Sequence, residues 1–498
     1  MPKLKDFATS YLSIIISIIT NFVLLPVYLK YFGADDYGAW IVINTLVQYL
    51  ALANFGIPTS LMVTGANLKN KSIIGKLYNK CLKLILIIVA SVVIITIVLI
   101  LARILVPEVF FGSSNKNLYY FNSLVVCFVL YCLRSPIQLS LSIFSALGKV
   151  YLNKIYEILT NISWPLAFLI VYYMGYGLQG YIIIAGILML IFSICSFIHS
   201  NVLVKQEAKK NEEVIENEVP SNKSILRSSA GYFLISIGAA LVWNTDNIVI
   251  AKFLPIHEVT VYSLTFRIYT LGFVIFSTIN SVLMPYYGIY KSQNNLVQLQ
   301  KSYYNSIIVS SFLAMGIWIV TFLFSREIVL FWTKDTELYG GRYLFLTMGF
   351  YGFVLSFLSS TGIFLSSVKI LRTSIYLTFI EGITNLVVSL ILISKFKIIG
   401  VAIGTAAGAL TNAVIINLIF KKVVKNLVEA PTFILLKNFA LGGSFILIML
   451  YFRLDERGLA FKFQIIALIV CLYSYLFLRF NGVNIRELKN YFHGSIKA

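Results

Sequence analysis

Leu84–Leu101 reads LILIIVASVVIITIVLIL, eighteen residues without a charge between Lys83 and Arg103. As a helix rising 1.5 Å per residue it reaches about 27 Å, close to the roughly 30 Å hydrocarbon core of a bilayer. A strand of a membrane β-barrel alternates apolar and polar side chains over about ten residues, and this run does not alternate. In hydrocarbon every backbone N–H and C=O needs an internal partner, which a helix supplies. Similar runs recur through the 498 residues, which are 59% apolar and 12% charged with a mean hydropathy of +0.87. Soluble domains carry about 25% charged residues. The composition therefore excludes an ordinary soluble protein, and it excludes disorder, which requires low hydrophobicity. It describes an all-α polytopic membrane protein.

Working outward from that run, fourteen spans are expected, at about 8–29, 39–64, 81–105, 118–147, 155–174, 178–203, 228–252, 259–288, 303–325, 341–366, 373–394, 398–420, 432–452 and 461–480. The net charge of +20 reads as topology, because Lys and Arg sit in short loops. With the N-terminus in the cytoplasm, 26 of the 40 Lys and Arg fall inside and 12 outside, while Arg134 and Arg267 lie within spans. That bias predicts an even number of spans and two cytoplasmic termini. The first run lacks a small-residue cleavage site and reads as a retained helix. Five Cys lie in or beside apolar runs, with no disulfide or zinc spacing, and read as packing residues. No metal site is expected. The Lys/Glu-rich stretch around 204–227 reads as a cytoplasmic linker, and no G-x-x-x-x-G-K-[ST] loop indicates ATP hydrolysis.

The chain repeats itself. Lys30-Tyr31-Phe32, Asp36 and Trp40 correspond to Lys252-Phe253-Leu254, Glu258 and Tyr262 at an offset of 222 residues. Ile143-Phe144, Lys149, Ile155-Tyr156 and Gly177-Leu178-Gln179-Gly180 correspond to Ile363-Phe364, Lys369, Ile375-Tyr376 and Lys397-Ile398-Ile399-Gly400 at 220. Two such close offsets predict two parallel six-helix lobes, residues 1–203 and 228–420. Residues 421–498 then hold two additional helices and a tail. Parallel repeats about an axis along the membrane normal are a transporter architecture, with the substrate path between the halves.

Leu24-Leu25-Pro26-Val27-Tyr28-Leu29, Tyr31-Phe32-Gly33-Ala34-Asp35-Asp36-Tyr37-Gly38-Ala39-Trp40 and Asn54-Phe55-Gly56-Ile57 carry a family resemblance. Thr245-Asp246-Asn247-Ile248-Val249-Ile250-Ala251-Lys252-Phe253-Leu254 and Gly400-Val401-Ala402-Ile403-Gly404-Thr405 extend it over roughly residues 8–420. These stretches resemble the oligosaccharide flippases of O-antigen and capsule assembly, the Wzx-like branch of the multidrug/oligosaccharidyl-lipid/polysaccharide exporter superfamily. The resemblance implies two lobes around a central cavity in the bacterial inner membrane. It implies flipping of a polyprenyl-pyrophosphate-linked oligosaccharide by alternating access, driven by a proton or sodium gradient and without a bound cofactor. Its implied partners are a polysaccharide polymerase and a chain-length regulator. Where the family often has Asp, this chain has Asn54.

Ionisable groups in hydrocarbon are costly, about 2.5–3.5 kcal/mol each on insertion scales, so each is a functional candidate. Arg134 sits mid-span two residues before Pro136 and has no repeat partner; a guanidinium gives planar, bidentate donors to a phosphate. Asp246 and Arg267 lie at about 9 and 12 Å depth on hairpin partners, which predicts an ion pair that lines the path or fixes the hairpin. Glu381, with Asn385 one turn above, is a candidate proton or sodium site. Lys30 and Lys252 are repeat partners at the outer mouth, where they attract anionic head groups or simply snorkel. Asn21, Asn44, Gln48, Asn54, Asn244, Asn247 and Asn280 are candidate hydrogen-bond partners for sugar hydroxyls. The substrate-binding set is therefore Arg134, Arg267, Asn54, Asn244, Lys30 and Lys252, and the coupling or gating set is Asp246, Glu381 and Pro26. Proline bends helices, so the first span is expected to bend at Pro26. Gly400, Gly404 and Gly408 form a face for close helix packing.

Two other readings compete. A glycosyltransferase would place carboxylates such as Asp35 and Asp36 in an external loop, but that loop has only about nine residues; either Asp instead is expected to cap the second helix. A multidrug antiporter would want buried carboxylates for cationic drugs, whereas this chain buries cations. A peptidoglycan-precursor flippase shares the pyrophosphate and is not separated by charge.

Overall fold

The computed structural model describes residues 18–68, 71–101, 116–209, 220–367, 371–420 and 431–481, together with Thr9, Leu12, Ser13, Ile16 and Phe111. All regular structure among them is helical. Eleven of the described helices are long and apolar enough to cross a membrane, or up to twelve if one bent pair counts as a single span. The helices are α1 (Leu25–Ala51), α2 (Ile57–Asn67), α3 (Ile74–Leu101), α4 (Asn117–Gln138), α5 (Ser140–Ala146), α6 (Val150–Met174), α7 (Leu178–Ala208), α8 (Asn222–Phe253), α9 (His257–Ser292), α10 (Leu296–Leu323), α11 (Ser325–Thr333), α12 (Arg342–Ser367), α13 (Leu371–Ile419), α14 (Thr432–Tyr451) and α15 (Leu459–Phe480).

Several boundaries differ from expectation for local reasons. The turn between the first two expected spans is one residue, Gly33, at φ 81° and ψ 171°, inside α1. Only a residue without Cβ adopts that conformation readily. The second span is bent by 49° between Asn54 and Ile57, where Phe55 and Gly56 are both left-handed. The eleventh and twelfth expected spans form one stretch, α13, broken at Lys397 (φ 51°, ψ −134°). Its two arms fold back on each other. A Cβ on Gly400 would meet Leu392, one on Gly404 the Asn385 carbonyl, and one on Gly408 the Glu381 carbonyl, each within 2.6–2.8 Å. The small-residue face on this span is thus a helix-packing face, as its spacing predicts. Of the expected linker, residues 210–219 lie outside the described residues, while α7 continues to Ala208 and α8 begins at Asn222.

The chain forms two compact units, Met1–Thr260 and Val261–Ala498, dividing within α9. In the first unit Ile57, Leu61, Leu77, Tyr78, Cys81, Ile85, Leu139, Ile143 and Ile225 make a buried apolar cluster. The opposite face of α3 is bare, with Ile87 66% and Ile94 62% exposed. An apolar face of that extent on a spanning helix is a lipid face.

Two turns expected to be repeat partners meet at one end of this unit. At the offset of 222, Ala34, Asp35 and Gly38 correspond to Ile256, His257 and Thr260. Thr260 Oγ1 donates to the Ala34 carbonyl at 2.7 Å, and a Cβ on Gly38 would strike the Ile256 carbonyl. His257 Nδ1 lies 3.9 Å from Asp35 Oδ1. Residue i of one turn thus meets residue j of the other and the converse, the pattern of an isologous twofold contact. Neither Asp caps a helix. Asp36 instead accepts from Lys116 Nζ and from Tyr120 OH, each at 2.8 Å, just after the Gly33 break. That bond holds the Lys116 ammonium above its ordinary range.

In the second unit α10 and α12 form the centre. Asn280 donates to Ser310 and Ser360 at 3.1 and 2.9 Å, so this expected sugar partner bridges helices. The α14–α15 pair is fastened to α10: Gly442 sits against Met315, Asn438 donates to Ser311 at 2.8 Å, and Tyr473 stacks on Phe312 at 5.4 Å.

Candidate functional site

Two polar centres lie among buried apolar side chains, one in each unit. In the first, α4 presents Tyr131, Arg134 and Ser135, three or four residues apart and so on one face. Tyr131 OH and Ser135 Oγ both donate to Asn54 Oδ1 at 3.0 Å. Arg134 Nε donates to Ser193 Oγ, and its Nη1 contacts Met189 Sδ, both at 3.3 Å. It does not turn to the carbonyls near Pro136, although α4 ends two residues later, at Gln138. Among the described residues Arg134 has no carboxylate partner. A guanidinium that leaves water without a counter-ion is expensive.

Arg134 lines a cavity of about 100 Å3 with Trp40, Asn44, Tyr131, Trp164 and Met189. Trp40 and Trp164 meet edge to face at 4.7 Å, and both approach Tyr181. The cavity therefore offers aromatic surfaces, an amide and an uncompensated cation. Of the expected substrate residues, the structure brings Arg134 and Asn54 together through α4. The partners Tyr131 and Ser135 escaped sequence reading because hydroxyls on an apolar helix are common and carry no pattern.

Asp246 is 5% exposed on α8, next to Thr245, whose hydroxyl lies 2.6 Å from Tyr49 OH of α1. Arg267 is half-buried on α9, in the second unit. Asn244 is half-buried on α8, and Asn247 donates to Thr45 Oγ1 at 3.1 Å. Lys30 and Lys252 are exposed near helix ends, Lys252 Nζ lying 5.6 Å from the Phe253 ring. Pro26 occupies the first turn of α1, directly after a π-helical turn at Ile19–Val23. Proline lacks an N–H and starts helices well, so the first span is interrupted there.

The second centre is the α13 hairpin. Glu381 is 6% exposed and its Oε2 accepts from Asn412 Nδ2 at 2.5 Å. Ser389 Oγ donates to Asn385 Oδ1 at 3.0 Å, and Asn412 Oδ1 is buried without a hydrogen-bond partner. Glu381 on one arm is thus held by Asn412 on the other. Asn412 was not singled out from sequence, since its 31-residue separation from Glu381 closes only when the hairpin folds. Among the described residues no cluster of three His, Cys, Asp or Glu is arranged to hold a metal.

Comparisons with known proteins agree with this architecture. The model of the polysaccharide biosynthesis protein family matches residues 4–291, and the MatE model matches residues 233–391. A candidate O-antigen transporter from Salmonella typhimurium strain LT2 is 25% identical over 181 residues, 36% of this chain and 42% of that relative. The chain thus aligns with under half of that relative's length. Among solved structures, the lipid II flippase MurJ in an inward closed conformation superposes with a TM-score of 0.67 at 16% identity, covering 96% of this chain and 99% of that one. An inward-facing multidrug resistance MATE family transporter superposes with a TM-score of 0.65 at 15% identity, covering 82% and 95%. At such identities the likeness is one of fold. The matching families and neighbours are transporters rather than enzymes. The first family match covers more than half of the chain, and the chain, a multi-pass helical membrane protein, belongs to the polysaccharide biosynthesis protein family.

Proposed function

We propose that this chain flips a polyprenyl-pyrophosphate-linked oligosaccharide across the inner membrane by ion-coupled alternating access, with both termini in the cytoplasm. The observation that carries this reading is Arg134: a cation without a carboxylate partner among the described residues, lining an aromatic-walled cavity in a polysaccharide-family transporter. The pyrophosphate supplies the missing anion, and Arg267 belongs to the substrate-binding set of the second unit. Asn54 and Asn244 face sugar hydroxyls, Lys30 and Lys252 draw anionic head groups towards the mouth, and the polyprenyl tail stays in lipid. Glu381 with Asn412 carries the proton or sodium ion. Asp246 is the gating carboxylate of the first unit. A polymerase and a chain-length regulator receive the product. A multidrug antiporter is the second reading, favoured by the MatE match over residues 233–391.

The test is reconstitution into liposomes holding a fluorescent polyprenyl-pyrophosphate oligosaccharide, with and without a proton or sodium gradient. Wild type is expected to translocate with gradient stimulation. Arg134→Ala is expected to lose about 10- to 100-fold, the worth of a charge-assisted hydrogen bond of about 1.5–3 kcal/mol. Glu381→Gln is expected to lose the stimulation. Wild-type rates in Arg134→Ala would reduce Arg134 to a packing residue. Drug efflux without glycan translocation would move the assignment to the antiporter.

A further inference from the structure

A separate cluster of ionisable side chains lies in the second unit, away from Glu381, where the α11–α12 connection meets the α14–α15 loop. Lys462 is 1% exposed and donates to Glu327 Oε1 and to the Asp455 carbonyl, each at 2.7 Å. Arg342 Nη1 donates to Glu456 Oε1 at 2.5 Å and lies 3.7 Å from Asp455 Oδ2. Three buried atoms here have no hydrogen-bond partner: Asp455 Oδ1, Glu327 Oε2 and Arg342 Nε. The Asp455 side chain is only 2% exposed. All three residues line an open cleft of about 1050 Å3, walled also by Tyr339 and Tyr343. Orphaned buried polar atoms are uncommon in folded proteins and call for an occupant.

The mixture of signs selects that occupant. A cation at Asp455 and Glu327 would be repelled by Arg342 and Lys462. An anion at Arg342 would be repelled by Asp455, Glu327 and Glu456. A hydroxyl satisfies both, since its O–H donates to a carboxylate while its oxygen accepts from a guanidinium. Adjacent hydroxyls on a sugar ring offer such groups side by side, and tyrosine rings offer flat amphipathic surfaces beside them. The cleft also matches the upper end of ligand pockets, about 300–1,000 Å3, which is room for more than one sugar ring.

We propose that this cleft binds a neutral, hydroxyl-rich oligosaccharide, with Asp455 and Glu327 accepting and Arg342 donating. The α14–α15 pair, additional to the repeat, supplies Asp455 and Glu456 from its loop and Lys462 from the first turn of α15, which gives the pair a role in glycan capture. The inference rests on the polysaccharide reading above for its natural ligand, and it places the glycan at a site distinct from Arg134.

The test uses full-length protein in detergent, with free neutral oligosaccharides from a bacterial glycan array, calcium chloride and inorganic phosphate as probes. Neutral oligosaccharides are expected to bind. Asp455→Asn and Glu327→Gln are each expected to weaken binding at least tenfold. Both substitutions are isosteric, thermal unfolding is the control, and Arg457→Ser at the exposed rim replaces either if it misfolds. A lipid-linked glycan binding more tightly than its free form would mark the transported substrate as the ligand, and equal binding would mark free glycan. Absence of binding by every neutral glycan, or binding undiminished by the substitutions, overturns the proposal. So does binding of calcium or phosphate that Asp455→Asn abolishes. Glycan binding without translocation would leave the cleft standing and remove the flippase reading.

Discussion

Asp455 shows how a buried charge writes itself into stability. Burial pushes its carboxyl above the usual range, and the Arg342 guanidinium only partly opposes this. A raised carboxyl pKa means that the folded state favours the protonated form, so ionised Asp455 lowers stability at neutral pH and ceases to do so as pH falls through its folded pKa. Asp455→Asn is therefore expected to raise the unfolding temperature by about 1–2 °C at pH 7.5, with the gain vanishing in acid. Thermal unfolding in detergent across pH reads this directly, and a stability loss at every pH would contradict it. A substitution that stabilises while abolishing glycan binding would mark a residue kept for function. Arg134 is the counterpart in the first unit, a cation whose burial is offset only by a serine and a thioether.

At the scale of elements, the α13 hairpin depends on absent side chains. A Cβ at Gly408 would lie 2.6 Å from the Glu381 carbonyl. Gly408→Val is expected to push the arms apart, cost about 1–3 kcal/mol, and break the Asn412–Glu381 bond. Reduced thermal stability together with lost gradient stimulation would be the signature, and normal coupling would separate Glu381 from the ion. Pro26 marks another element-level device. Because α1 restarts at Pro26 after a π-helical turn, Pro26→Ala is expected to let the first span run straight and to slow translocation several-fold while leaving the protein folded. Unchanged transport would remove Pro26 from the gating set.

For the molecule as a whole, the reciprocal contact of the two turns is the feature to test. On the proposed alternating-access reading, the touching turns at Gly33–Gly38 and Pro255–Thr260 separate in one state. In a cysteine-free background, Asp35→Cys with His257→Cys joined by a short bis-methanethiosulfonate reagent, each thiol displacing a methanesulfinate to form a disulfide, is expected to abolish translocation, with reversal on reduction. Full activity of the joined protein would mean that this contact never opens. The Asp35–His257 distance of 3.9 Å makes the pair reachable by such a reagent.

Hydropathy was enough to recognise a helical membrane protein, because lipid imposes its demand on every residue of a span in turn. The glycine face of the twelfth expected span was legible for the same reason, since helix packing in lipid follows local spacing. Single buried charges, Arg134 and Glu381 among them, were legible as candidates because hydrocarbon makes each one costly. What they touch was not. Asn54 reaches Arg134's helix across 77 and 81 residues of chain, Asn412 reaches Glu381 across 31, and Lys462 reaches Glu327 across 135. The Arg342–Asp455–Lys462 cluster looked like ordinary loop charge, since solvated loops and satisfied ion clusters share one composition. Only the tertiary structure decides which polar groups lose water together, and that loss is what converts a charge on a helix into a site.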